Sequence, residues 1–347
     1  MPSVPVRMAG TRTPEGSSPV IDPAKAPVAY GNRALPQLKM ELQGPQLLIR
    51  QQALATLCDL VHEPGRVYEA VQTGFVDVLK DLLKDTDSVV RVKTTEVFYL
   101  LASQNVGREA FLSSNVLGPL VALLDHPVDA CRKNTHRVLK TIAEFPTGAA
   151  YLVAQGVVPR LVQQVVGERE DIRVLMLNTL TSCVWVDALP GLLSGGLPVL
   201  CQQLSDPSPD IRRAATAAMV GMSVPLQGKV YMCEENVVPL LVSSLSDSDP
   251  GVISNATAAI TYTAVTTKGK HQVLQAGAIC PLLRLVQSED WALCGNALRA
   301  LTALAEVPSG RQRLLEHIPL LESCLGHPHS VIQRAAATAI SVISWTP

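Results

Sequence analysis

The chain has 347 residues, of which 47% are hydrophobic, 17% charged and 4% aromatic. This apolar share can form a core and excludes general disorder, and the bias toward Leu, Val and Ala over aromatics favours helical layers over a sandwich or barrel. With 29 Lys and Arg against 30 Asp and Glu, the net charge of −1 supplies no overall field toward nucleic acid or acidic lipid.

Residues 1–33 carry Pro2, Pro5, Pro14, Pro19, Pro23 and Pro27 and the cluster Gly16-Ser17-Ser18, with no apolar period. That composition predicts a flexible or partner-ordered Pro-rich arm. The N-terminus lacks the continuous apolar stretch of a secretory leader, and no segment reaches the roughly 18 uncharged apolar residues of a membrane span. The expectation is a cytosolic chain with neither membrane nor nucleic acid as partner.

From residue 34 a period takes over. IRRAATAAM at 211–219 lies over VISNATAAI at 252–260 and over LCGNALRAL at 293–301. Such self-similarity at about 40 residues is the signature of a repeat architecture. One column reads Arg50, Arg91, Arg132, Arg173, Arg212, Ile253, Cys294 and Gln333, with steps of 41, 41, 41, 39, 41, 41 and 39. This sets eight units, near 34–74, 75–115, 116–156, 157–196, 197–236, 237–277, 278–317 and 318–347, the last cut short after its long helix. Three residues beyond the anchor the column is small (Ala53, Thr94, Thr135, Met176, Ala215, Ala256, Ala297, Ala336). Seven beyond, it is apolar throughout (Leu57, Phe98, Leu139, Leu180, Met219, Ile260, Leu301, Ile340). Together they predict the buried stripe of a long helix that crosses its neighbours closely.

Two glycine columns punctuate the units. Gly74, Asn115, Gly156, Gly196, Asn236 and Gly277 hold only residues that tolerate the left-handed backbone, and they predict a cap closing each unit. Gly65, Gly107, Gly148, Gly228, Gly269 and Gly310 are expected to mark the turn after the long helix. These columns absorb two strings that look like sites. Asn255-Ala256-Thr257 fits a glycan acceptor but falls within a predicted helix, and Thr266-Thr267-Lys268-Gly269-Lys270 hints at a phosphate loop but is a repeat turn.

No set of side chains converges on catalysis. His62, His126, His136, His271 and His317 fall in different units, and His327-x-His329 offers too few ligands for a closed metal site. The eight cysteines are scattered singly without a C-x-x-C pair, as small buried residues of a reducing compartment would be. The reading is a non-enzyme with no catalytic residue, cofactor, metal or small-molecule substrate.

Binding candidates remain. Arg50, Arg91, Arg132, Arg173 and Arg212 form a ladder at the start of five consecutive long helices. Each pairs with a nearby acid, for which Asp87, Glu170 and Asp210 are candidates, or with helix-end carbonyls in the next unit, or else the five form a basic stripe for an acidic partner segment. Leu100, Tyr262 and Val342 are apolar positions on the long helices that either meet a partner or pack against the next unit. Trp345 either closes the last layer or anchors an interface.

The unit of a short helix, a middle helix such as VVPLLVSSL and a long helix such as VISNATAAITYTAV resembles the armadillo repeat over residues 34–346. The resemblance implies an all-α, armadillo/HEAT-like right-handed α-solenoid whose concave groove is lined by the long helices. The W-x-x-x-N ladder of importin-α-type cargo adaptors is missing. Its Trp column would read Ala55, Glu96, Arg137, Asn178, Ala217, Ala258, Arg299 and Thr338, and its Asn column Asp59, Leu100, Thr141, Ser182, Gly221, Tyr262, Ala303 and Val342. The segments IDPAKAPVAYGNRALPQL (21–38), CDLVHEPGRVYEAVQTG (58–74), VRVKTTEVFYLLASQNVGREAF (90–111), AVTTKGK (264–270) and ALTALAEVPSGRQRLL (300–315) resemble the armadillo-repeat radial spoke proteins of the ciliary axoneme. This second resemblance implies a structural subunit of spokes in motile cilia and sperm flagella, held in the cytoskeleton by other radial spoke proteins and by doublet-microtubule-associated proteins. The alternative is a soluble cytoplasmic adaptor for a signalling or assembly partner.

Overall fold

The computed structural model describes residues 34–345; the expected arm at 1–33 lies outside the described residues. Among them there is no strand, and eight long helices recur: Leu47–Leu60, Ser88–Ala102, Asp129–Ala143, Glu170–Val186, Pro209–Ser223, Pro250–Thr263, Trp291–Ala305 and Ser330–Ile343. Each packs on the next in chain order, and the shorter helices between them stack alongside in the same sequence. The result is an α-solenoid with one apolar core running continuously from Leu35 to Ile343.

The small column is what lets the long helices approach. All eight of its residues are at most 1% exposed, Met176 included. Leu57, Phe98, Leu139, Leu180, Met219, Ile260 and Leu301 lie buried one turn further on, while Ile340 of the last helix is half-buried. Full burial of one such side chain stabilises by about 1.5–3 kcal/mol, so each layer depends on the neighbour that covers it. Phe98 also meets Phe111 of the following short helix edge to face, with ring centroids 5.1 Å apart.

Local chemistry sets the helix ends. Asp87, Asp249 and Asp290 accept hydrogen bonds from the first free backbone N–H groups of their long helices. Thr266 does the same for Thr267–Gln275, accepting from Gly269 N at 3.1 Å, so the hydroxyl in the phosphate-loop-like string is a helix cap. The closing column adopts positive φ as its residue types require, from 50° at Asn115 to 78° at Gly277. In the fourth unit, however, the left-handed residue is Gly195 (φ 75°), and Gly196 is already the first residue of the next helix, Gly196–Gln203. Adjacent glycines hide such a one-residue shift from column counting.

The second glycine column has a different cause from the one expected. Gly107, Gly148, Gly228, Gly269 and Gly310 lie inside the short helices, with no positive φ. A Cβ on them would stand 1.7–2.2 Å from the carbonyl oxygen of Leu101, Ile142, Met222, Thr263 or Leu304, near the end of the preceding long helix. Close crossing of two backbones at each corner therefore demands glycine. Gly65, with nothing within 4 Å, is the exception.

Gly228→Ala should cost about 2–3 kcal/mol in urea unfolding because backbone must move to admit the methyl. Gly65→Ala, in a helix with open space, should be neutral or stabilise by up to about 1 kcal/mol. Equal effects at both sites would show that the close approach does not govern the column.

Candidate protein-interaction surface

The arginine ladder is engaged within the fold. Each guanidinium leaves the start of its long helix and reaches the loop of the next unit: Arg50 to Asp85 at 3.0 Å, Arg132 to Glu168 at 2.6 Å, Arg173 to Asp206 at 2.7 Å and Arg212 to Asp247 at 2.7 Å. Arg91 meets a histidine instead, donating from Nε to His126 Nε2 at 2.9 Å. The other arm turns back. Nη1 of Arg50, Arg91, Arg132 and Arg212 donates to two carbonyls of the loop preceding its own helix, such as Asp206 O at 2.9 Å and Pro207 O at 3.1 Å for Arg212. Each of these arginines thus ties its own loop to the next one. The planar fork of donors suits that task, which Lys could not reproduce.

The acids are not those the sequence suggested. Asp87 caps a helix, and Asp210 pairs with Arg213 rather than Arg212. Glu170 lies in the first turn of its helix while Arg173 reaches across to Asp206 and to Gln203 Oε1 at 3.1 Å. The true partners form their own column, Asp85, His126, Glu168, Asp206 and Asp247. Asp85, Asp206 and Asp247 each also accept the backbone N–H two residues on, at 2.8–2.9 Å, closing the loop as an Asx turn. The signal was present: after Ile253 the corresponding position is Ser288, so the two columns end together.

Electrostatics follow these contacts. The hydrogen bond from Arg132 holds the Glu168 carboxyl below its ordinary range, and Arg212 does the same to Asp247. His126 is pushed down, first by burial and then by the Arg91 charge. Its ring nitrogens face two donors, Arg91 Nε and, at 3.1 Å, Val128 N, yet a neutral imidazole has one acceptor nitrogen. This joint is therefore one acceptor short, and at the fourth joint the buried Nε of Arg173 has no hydrogen-bond partner. His136, buried with Nδ1 unpartnered, is pushed down to about 4 chiefly by burial, with Arg132 opposing and Glu168 and Asp125 favouring its charge.

The three apolar candidates separate. Leu100 and Val342 are half-buried against the core, whereas Tyr262 is exposed. Trp345 is exposed too, with the Arg311 guanidinium 4.7 Å from its ring centroid and its carbonyl accepting Arg311 Nη1 at 3.1 Å. Asn255 points across to the preceding long helix, donating to Arg213 O at 3.1 Å and Thr216 Oγ1 at 3.3 Å. His327 and His329 stack near Trp291, and among the described residues no group of three or more His, Cys, Asp or Glu is placed to hold a metal ion. Six cysteines are buried, Cys201 is half-buried and Cys280 exposed; burial pushes the Cys58 and Cys183 thiols up to about 12. No helix of the described residues is long and apolar enough to cross a membrane. What the solenoid offers is extended faces along its stacked helices, suited to binding proteins.

Residues 103–278, half of the chain, match the family model described as dynein axonemal assembly factor 5-like, TPR repeats. The chain belongs to that family. Within the family's repeat architecture, the helices here come in threes. Two designed armadillo repeat proteins superpose with TM-scores of 0.61 and 0.60 at 23% and 21% identity, each covering 65% of this chain and 98% of its own. One of them was solved with the peptide (KR)4. An engineered protein superposes with a TM-score of 0.82 at 22% identity, over 89% of this chain and 78% of its own. These likenesses establish the armadillo-like α-solenoid expected from the repeat. Radial spoke protein 14 of Chlamydomonas reinhardtii is 28% identical over 134 residues, 38% of this chain. The match spans about a third (35%) of that curated relative's length.

Arg132→Ala should cost about 2 kcal/mol in urea unfolding, through loss of a charge-assisted pair and two loop carbonyl contacts, whereas His126→Asp should gain about 1 kcal/mol by serving both donors. His136 gives a pH signature. Its folded pKa lies below the unfolded value near 6.5, so the unfolded chain takes the proton first and stability falls as pH drops from about 6.5 to about 4. That fall should amount to about 3 kcal/mol, and His136→Leu should remove it from denaturant curves measured at pH 7 and pH 4.

Proposed function

We propose that this protein is a non-enzymatic scaffold subunit of axonemal radial spokes, in motile cilia and sperm flagella, that holds other spoke proteins on the faces of its solenoid. The observation that carries this reading is the similarity to radial spoke protein 14 of Chlamydomonas reinhardtii, and the family's axonemal description points the same way. The physics is compatible. A stack of layers sharing one core passes load from neighbour to neighbour and presents several long faces at once. Spoke proteins, and proteins associated with the doublet microtubules, are the proposed partners. Tyr262 is the proposed contact among the long-helix candidates, with Leu100 and Val342 supporting it from partly covered positions. Arg50, Arg91, Arg132, Arg173 and Arg212 are proposed to contribute by fixing the spacing of the layers that a partner reads.

Detergent-stripped motile axonemes should retain the chain, and crosslinking mass spectrometry on the pellet should join it to spoke subunits. Complete loss to the detergent-soluble fraction would instead support a cytoplasmic adaptor for a signalling or assembly partner.

A further inference from the structure

Twelve residues beyond the anchor column, where each long helix hands over to the next short one, the chain reads His62, Ser103, Glu144, Trp185, Val224, Val265, Glu306 and Trp345. The rim these residues form changes character along the solenoid. In the fourth to sixth units Trp185 (55% exposed), Val224 and Val265 (63%) stand next to Val186, Leu189 and Leu226 (71%), all exposed. Leu189 and Leu226 take the first helical position that Pro64, Pro146 and Pro308 hold elsewhere. Exposed large apolar side chains concentrated on one stretch of rim are the kind of feature that marks an interaction site. Two other aromatics beside the rim carry a cation on one ring face: Arg108 lies 3.9 Å over Phe145 in the third unit and Arg311 4.7 Å over Trp345 in the eighth. Trp185 has no such cover, because Ala149 follows Gly148 where Arg108 follows Gly107 and Arg311 follows Gly310.

We propose that this rim, from Trp185 to Val265, is the docking strip for one amphipathic α-helix of a partner protein with an apolar residue every seven positions. Helix-packing geometry and charge select that occupant. Layers about 9–10 Å apart place Trp185, Val224 and Val265 at nearly the rise of seven helical residues, about 10.5 Å, so a helix laid along the rim sets one apolar side chain on each layer. The ends of the strip are oppositely charged, with exposed Asp187 beside Trp185 and exposed Lys268 beyond Val265. They complement a helix whose positive N-terminal end lies over Asp187 and whose negative C-terminal end lies over Lys268. The proposal goes beyond the scaffold reading and does not depend on where in the cell the chain resides.

The test is a displayed library of helices about 25 residues long, selected against the full-length chain and counter-screened on Trp185→Ala with Leu226→Glu. Enriched sequences should carry the seven-residue apolar period, bind the double variant at least tenfold more weakly, and lose several-fold on the charge reversal Asp187→Lys with Lys268→Asp. Trp185, Leu226 and Lys268 are exposed and should leave the melting temperature unchanged, while Asp187→Lys loses the hydrogen bond Asp187 accepts from Leu189 N at 2.9 Å and should lower it only slightly. Failure to enrich such helices, or equal binding to the double variant, overturns the proposal. So does a concentration-dependent dimer of the full chain that Leu226→Glu dissociates, which would make a second copy the occupant. A gain in helix affinity on deleting residues 1–33 would overturn it in favour of the arm.

Discussion

No unit of this chain can bury its apolar stripe alone, and the column of small residues from Ala53 to Ala336 is the constraint from which the other features follow. Small side chains at the crossing bring successive long helices close enough that the stripe of one is covered by the next. Closeness then fixes the corners. The chain must leave a long helix and start a short one within a few residues, and there the backbones approach until only glycine fits at Gly107, Gly148, Gly228, Gly269 and Gly310. The same compression fixes the loops. A loop held between two tightly spaced helices leaves carbonyls that need donors, and the ladder arginines supply them.

The ladder's end shows that it is one solution among several. Where Arg gives way to Ile253 and Cys294, the loops are held by local means: Ser288 Oγ accepts from Asp290 N at 3.2 Å, and His327 Nδ1 accepts from His329 N at 3.1 Å. Gln333, in the anchor column of the last unit, donates to His327 O at 2.8 Å, taking the carbonyl an arginine would take. The joints of the first five units are therefore charged and those that follow are mostly neutral. Acid acts on the two sets differently. Protonating Glu168 or Asp247 removes the acceptor of a charge-assisted pair, while in the later units the cross-unit ion pair, Lys270 with Glu306, lies away from the anchor-column loops.

Period, helix type and buried columns were legible in the sequence because each rests on side-chain size repeated eight times, and repetition averages away local exceptions. Contacts between units were not. The arginines stood out as a column, but their partners lie 33–36 residues away in loops, and local spacing pointed to Asp87, Glu170 and Asp210 instead. The glycines at the corners were visible as a column while their cause, a carbonyl six residues back, was a matter of three-dimensional approach. Gly195 escaped because its neighbour is also glycine. The apolar rim was missed for another reason: Trp185, Val224 and Val265 sit in hydrophobic sequence, and only burial separates a side chain in the core from one at its edge.

That rim changes how the stack behaves as a whole. In a solenoid each layer is coupled only to its neighbours, so the rod bends by small changes distributed over many joints. A ligand confined to one layer leaves those joints alone. A rigid helix laid across three layers opposes relative motion between them, because any change in spacing pulls at least one apolar side chain from its seat. Trp185, Val224 and Val265 lie at or just past the C-terminal ends of the fourth to sixth long helices, which straddle the point where arginine joints give way to neutral ones. A partner seated there would brace the junction between the two kinds of joint.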